Sequence, residues 1–298
     1  MAVRAPNICR SAVKGIMPLI RACGVHPHLT EPVYRLVLRS APTSFRKRVY
    51  DTGEFRINID LTEFVDAKLY FQGEYEPELC GALRLLLCPG DVAIDVGANI
   101  GVISLLMAHL VGPRGRVLAF EASSWAVERL RANISLNHFQ NVDVVCAAIG
   151  AVDAHEIEIV VPNGYPLMGG KSGRRQRVPG VCLGGYAQRN GATRVDLIKC
   201  DTDGWEDHVF QGAEAILEAS KPALVFEFGP ADLRAAGSSP ESLLRRLEAH
   251  GYEVREISPG FPRLDPVRRQ KELEAGGTVN LVAAARPDHL ARLSADNG

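Results

Sequence analysis

The residues of this chain best able to do chemistry are carboxylates, and they fall in two places with different company. The first is Asp95-Val96-Gly97-Ala98-Asn99-Ile100-Gly101, an acid leading a glycine turn, followed by Glu121 at the end of the next apolar stretch. The second is Lys199-Cys200-Asp201-Thr202-Asp203-Gly204-Trp205-Glu206, which carries three carboxylates in six residues. A glycine turn opening a helix lets backbone come close to a ligand at the helix N-terminus. An acid roughly 20 residues further on, at the next strand end, suits the paired hydroxyls of a ribose. Together they predict a nucleoside cofactor.

The details of the turn choose among such cofactors. A dinucleotide fingerprint requires glycine where Asn99 stands, and a carboxylate at Asp95 would repel a pyrophosphate. Asp95 suits a cation instead. S-adenosylmethionine carries a sulfonium and an ammonium but no phosphate, which matches an acid-led turn with one acid at the next strand end. The competing reading is a structural strand-turn-helix unit with incidental carboxylates. In the second cluster, Asp201 at a strand end is costly to desolvate without a partner or ligand. Glu206, in the first turn of the following helix, is favoured by the helix dipole whatever its role, and Asp203-Gly204 marks a turn.

The elements that must position these residues follow from periodicity. Val92-Ala93-Ile94, introduced by Pro89-Gly90, reads as a buried strand, and Ile103, Leu106, Met107 and Leu110 recur at helical spacing. The pattern predicts helices over 77–87, 124–137, 205–217 and 240–250. It predicts main strands at 116–121, 142–146, 195–200 and 223–228, an additional edge strand at 156–161, and closing strands at 252–257 and 279–283. Strands alternating with helices mean a doubly wound α/β sheet, with ligands beyond the carboxyl ends of its strands. Asp95, Glu121, Asp201 and Glu227 are then expected to face one crevice. Residues 1–73 form an N-terminal extension in which 55–60 alternates as a strand, and 74–298 form the main domain. The stretch 162–180, rich in Gly, Arg and Lys, reads as a surface loop or a substrate lid. Its Gly169-Gly170-Lys171-Ser172 misses phosphate-loop spacing because Gly164 is one residue too distant.

Composition narrows the class. With 298 residues, 46% of them hydrophobic, the chain can bury one large core, and its net charge of -1 gives no pull toward nucleic acid. Seven cysteines without a C-x-x-C pair predict reduced thiols and a cytoplasmic protein, and eight histidines without zinc spacing predict no metal. The basic N-terminus reads as a solvated face or a contact for a partner or acidic substrate. Its apolar piece Gly15–Ile20 is too short for a signal peptide, and no stretch approaches the roughly 20 apolar residues of a membrane span.

Taken together, Asp95 to Gly101, Phe120-Glu121, Val195 to Glu206 and Phe210-Gln211-Gly212-Ala213 resemble the FkbM family of S-adenosylmethionine-dependent methyltransferases. The lead-ins Tyr75-Glu76-Pro77 and Pro89-Gly90-Asp91 are similar too. The likeness covers about residues 74–230, and more weakly to 285. It implies a Rossmann-like, doubly wound methyltransferase fold with a mostly parallel seven-stranded sheet. It also implies O-methylation of a hydroxyl on a sugar, glycolipid or secondary metabolite. Asp95, Gly97, Asn99 and Gly101 would line the methionine part and Glu121 would hold the ribose, with Glu76 and Asp201 completing the cofactor set. Two departures stand out. Leu183-Gly184-Gly185 replaces the usual Leu-Asp-Asp, and Thr202-Asp203 replaces Val-Glu.

An aliphatic hydroxyl is a weak nucleophile, so a base should add about 10²- to 10⁴-fold. Asp201 is the first candidate, followed by Asp203, Glu206 and Glu227, with His208 as an outsider. The alternatives are an N- or C-methyltransferase acting on a small molecule, or a non-catalytic cofactor-binding protein of the same fold. The acceptor, a small molecule or a glycan, has no code in the chain, and neither has the oligomeric state.

Overall fold

Two units make up the chain in this computed structural model, which describes residues 46–162, 173–192, 194–273 and 276–295. The first comprises the described residues up to Tyr75 together with Pro162 and Gly173. Strands β1 (Lys47–Asp51) and β2 (Arg56–Asp60) pair antiparallel. Alternation along β2 buries Ile57 and Ile59, and helix α1 (Phe64–Gln72) buries Leu69 and Phe71.

The second unit begins at Glu76. Its elements run α2 (Pro77–Leu86), β3 (Val92–Val96), α3 (Val102–Val111), β4 (Arg116–Glu121), α4 (Ser124–Leu136) and β5 (Val142–Cys146). Then come β6 (Ala148–Gly150), β7 (Ala154–Pro162), β8 (Gly173–Cys182), α5 (Leu183–Arg189), β9 (Leu197–Cys200), α6 (Glu206–Gln211) and α7 (Glu214–Ala219). The chain closes with β10 (Ala223–Phe228), α8 (Pro230–Ala235), α9 (Pro240–Ala249), β11 (Glu253–Glu256), α10 (Pro266–Leu273), β12 (Val279–Ala284) and α11 (Pro287–Ala295).

Seven strands form the main sheet in the order β11-β12-β10-β9-β3-β4-β5. The run from β10 to β5 is parallel, and β12 lies antiparallel to both its neighbours. Parallel strands covered on both faces must be apolar throughout. Accordingly Ala93, Ile94, Val117, Leu118, Ile198, Leu224 and Val225 have no exposed surface. The chain progresses outward from β3 through β4 to β5, then returns to add β9 on the other side of β3. The strand order therefore switches between β3 and β9, and the crevice at such a switch is where α/β sheets bind ligands. Asp95 and Gly97 leave one wall of that crevice and Asp201 leaves the other.

Four expectations need correction. The single helix over 205–217 is two short helices, because the chain breaks at Gly212, where a Cβ would stand 2.1 Å from the Gly150 carbonyl oxygen. Backbone crowding from a distant segment leaves no trace in periodicity. The strand at 156–161 does not edge the main sheet; it belongs to β7, in a separate three-stranded sheet of order β6-β8-β7. Most of the described part of the expected loop 162–180 is strand β8, whose exposed Arg175 and Arg177 pair with Glu158 and Glu156 on β7. A strand stabilised by cross-strand charge lacks the hydrophobic alternation that reveals one. The fourth main strand starts at Leu197 rather than Val195. Residues 1–45 and the Gly169–Ser172 stretch lie outside the described residues. No helix among the described residues is long and apolar enough to cross a membrane, and the five described cysteines are free.

Candidate active site

The turn after β3 is held by its own backbone. Gly97, Asn99 and Gly101 have φ of 77°, 48° and 97°, the left-handed region that favours glycine and tolerates asparagine. Space alone would also demand the glycines: a Cβ on Gly97 would lie 1.9 Å from the Asp201 carbonyl oxygen, and one on Gly101 would lie 2.4 Å from Leu130 Cδ1. The close approach anticipated for a ligand is thus, at the missing Cβ atoms, an approach of protein to protein. The Gly97 and Ala98 amides donate to the Phe120 carbonyl at 3.0 and 2.9 Å. The Asn99 amide donates to Glu121 Oε2 at 2.9 Å, and the Gly101 amide to the Ala98 carbonyl at 2.9 Å. None of these four amides is left to cradle a phosphate.

Glu121 is gripped on both oxygens. Its Oε1 accepts the Ser123 amide at 2.7 Å, opposite the Asn99 contact. Burial pushes the carboxyl's pKa up, opposed by these two amide bonds. Each carboxylate oxygen keeps a further lone pair, so the pair can still accept from two hydroxyls.

Lys199 joins the two walls, a role its place in the sequence pattern left unassigned. Asp95 on β3 and Lys199 on β9 are register partners, and Asp201 follows Lys199 by two residues onto the same face. Lys199 Nζ lies 3.3 Å from Asp95 Oδ1, 3.5 Å from Asp201 Oδ2 and 3.1 Å from the Gly97 carbonyl oxygen. Ser104 Oγ donates to Asp95 Oδ2 at 2.5 Å. Asp95 has no exposed surface, so the cation it meets within the fold is the buried Lys199. Burial alone would lower the lysine's pKa, but Asp95, Asp201 and Glu76 together hold it above its ordinary value.

The acids of the second cluster divide by their commitments. Glu206 Oε1 accepts from the Thr202 amide at 2.8 Å, the Thr202 hydroxyl at 2.9 Å and the Gly204 amide at 3.4 Å, which closes the loop at the helix start. Burial raises its pKa. Asp203 is exposed at φ 52°, while the Asp201 side chain keeps 35% of its surface. Glu227, at the end of β10, accepts from Thr278 Oγ1 at 2.7 Å. Its burial, with repulsion from Asp201, Asp203 and Glu206, pushes its pKa up to about 8. Glu76, at φ 48° before α2, accepts from Asn280 Nδ2 at 3.2 Å, and Asn280 is the register partner of Glu227. His208 is turned to other work, with Nε2 3.0 Å from the Ala236 carbonyl oxygen. Gly184, where the family pattern has an acid, donates its amide to the Gly212 carbonyl at 2.8 Å, and a Cβ there would lie 3.2 Å from that oxygen.

The strand-end carboxylates, the acid-led turn and the gripped Glu121 all fall within the stretch that matches a family model, that of the methyltransferase FkbM domain, over residues 95–254. That is more than half of the chain. The chain belongs to the FkbM methyltransferase family. The family implies S-adenosylmethionine as the cofactor, and although Asp95 is already neutralised by Lys199, a turn whose amides are bonded fits a donor without phosphate. In sequence, this FkbM chain is similar to the AMB antimetabolite synthetase AmbE of Pseudomonas aeruginosa, at 25% identity over 240 residues, covering 66% of this chain and 11% of that protein. It is also similar to the arsenite methyltransferase of Halobacterium salinarum, at 28% identity over 79 residues, covering 26% of this chain and 20% of the relative. The chain thus spans a minor part of the length of either. Among solved structures, a Streptococcus mutans methyltransferase in complex with SAH aligns with a TM-score of 0.42 and 11% identity, covering 70% of this chain and 95% of that one.

Proposed function

We propose that this FkbM protein transfers the methyl group of S-adenosylmethionine to a hydroxyl of a sugar, glycolipid or secondary metabolite, with Asp201 as the base. The observation that carries the reading is the place of Asp201. Its carboxylate stands at the strand-order switch, one third exposed and tied to the donor wall through Lys199 at 3.5 Å. An acceptor entering from solvent meets this acid in reach of the crevice that the donor turn and Glu121 line.

Methyl transfer from a sulfonium is an in-line displacement, so alignment of acceptor oxygen, methyl carbon and sulfur supplies most of the rate. Glu121 is suited to anchor the ribose, and the Asp95–Gly101 turn to border the methionine part. Asp201 takes the hydroxyl proton as the oxygen bonds the methyl carbon and sulfur keeps the electron pair. The other acids are less suited. Glu206 is spent on the 202–204 loop, Asp203 faces solvent, and Glu227 is engaged by Thr278 Oγ1, with burial and the neighbouring acids pushing its pKa up to about 8.

The test is labelled methyl transfer from S-adenosylmethionine to a panel of glycosides and metabolite alcohols, with products assigned by mass spectrometry and NMR. An O-methyl product is expected; N- or C-methyl products alone would replace this reading. Asp201→Asn should cut turnover by about 10²-fold or more, far more than it weakens cofactor affinity measured by calorimetry. Turnover within about threefold of wild type would remove the base role.

A further inference from the structure

Strand β8 reaches the donor side of the sheet through one neutral side chain. Gln176 is half-buried among the exposed Arg174, Arg175 and Arg177. Its Nε2 donates to the Ala122 carbonyl at 2.8 Å. Its Oε1 accepts the Ser124 amide at 3.2 Å and the Ser124 hydroxyl at 3.1 Å. Arg174 reinforces the contact by donating to Ser124 Oγ and, at 3.4 Å, to Gln176 Oε1.

The segment so fastened, Ala122 to Ser124, links β4 to α4. Its central amide, on Ser123, is the one that holds Glu121 Oε1 at 2.7 Å. Glu121 is therefore clamped between two amides, Asn99 on the donor turn and Ser123 on a segment that Gln176 pins from the far side. Only a side chain with both a donor and an acceptor satisfies the Ala122 carbonyl and the first free amide of α4 together. In the same segment the buried Ser123 hydroxyl has no partner among the described residues.

We infer that Gln176 is a positioning residue for the donor: it fixes the 122–124 segment so that the Ser123 amide presents Glu121 to the ribose. The inference rests on the reading of Glu121 as the ribose anchor. By linkage, a cofactor that grips Glu121 must also steady strand β8, since the coupling between two sites is reciprocal.

The experiment uses the full chain and S-adenosylhomocysteine as probe, so it needs no knowledge of the acceptor. Gln176→Ala should weaken binding in calorimetry by about fivefold to thirtyfold, measured at a temperature where the variant is fully folded. Gln176→Glu, which keeps the acceptor for Ser124 and loses the donor to Ala122, should fall between. On a Glu121→Ala background the Gln176→Ala loss should shrink to less than about twofold, because Gln176 acts through that carboxylate. Saturating S-adenosylhomocysteine should slow amide hydrogen exchange across 173–178 in the wild type. Unchanged affinity in both Gln176 variants, or full multiplication of losses in the double variant, overturns the role of Gln176 alone. Unchanged affinity in Glu121→Ala overturns the ribose reading, and the Gln176 role falls with it.

Discussion

The wall we propose for the donor and the wall we propose for the acceptor, called donor and acceptor walls below, are built on opposite electrostatic terms. On the donor side, between β3 and α4, polar groups close on one another: four turn amides are bonded within the protein, and Glu121 is held on both oxygens. On the acceptor side, at the ends of β9 and β10, acids face acids. Asp201, Asp203 and Glu206 all repel Glu227, and a buried oxygen of Glu206 has no partner among the described residues. The first arrangement is largely closed by bonds within the protein, with the Ser123 hydroxyl left without a partner among the described residues. The second keeps charge in reserve for whatever enters. A cofactor site can be finished before its ligand arrives, whereas a site for chemistry must leave bonds to be made.

Lys199 is the tie between these walls, so removing it tests the contrast most severely. Lys199→Met strands Asp95, which has no exposed surface, and should cost about 3–5 kcal/mol in urea unfolding. Adding Asp95→Asn, which removes the stranded charge, should return most of that loss. If the single variant is nearly neutral, the walls stand independently and the comparison fails.

A smaller effect separates the walls by pH. Glu227 has its pKa raised from an ordinary 4.5 to about 8, so in this window the folded protein binds a proton that the unfolded chain has released. Its contribution to stability is complete below pH 4.5 and is lost as pH rises toward 8, at up to about 1.4 kcal/mol per pH unit. Glu121 and Glu206, also raised, act in the same direction. Glu227→Gln should flatten the decline seen in urea unfolding of the wild type between pH 5 and 8. An unaltered slope would mean that Glu227 is not where the acceptor wall stores its repulsion. The smallest effect belongs to Asp203→Asn. This residue is exposed at φ 52°, a conformation asparagine accepts, so stability should move by less than about 0.5 kcal/mol. A larger change would place Asp203 inside the repelling group rather than at its rim.

What could be read from the chain follows the same division. The donor turn and Glu121 are written as neighbours in sequence, as strand, glycine turn, helix, then an acid at the next strand end, and the end of β9 carries its own local run of three carboxylates in six residues. Local patterning therefore reveals them. The bond from Lys199 to Asp95 depends on β9 lying beside β3 in one register, a fact held by segments about a hundred residues apart. Nothing near Lys199 announces it except a charge in an otherwise apolar strand. Glu227 was marked by its strand end, but its elevated pKa needs Asp201, Asp203 and Glu206 brought across from β9 and α6. The glycines stand out in the sequence as a turn, while the atoms that crowd them, the Asp201 carbonyl and Leu130, appear only in the packed fold. Gln176 lies in a stretch whose composition reads as loop, since the inward positions of its strand are Gln176, Val178 and Gly180, with Val178 the one large apolar residue among them, and the outward Arg175 and Arg177 are charged.

The four bonded amides of the donor turn also bear on life among competing metabolites. Nucleoside triphosphates and dinucleotides share the adenosine of S-adenosylmethionine and commonly outnumber it. Discrimination by adenosine alone would leave the crevice clogged. Here the polyphosphate of such a competitor finds spent backbone donors and a rim of carboxylates, so it loses on the tail what it gains on the base. Such rejection would be shared between the bonded backbone of the turn and the carboxylates beside it, Glu121 among them.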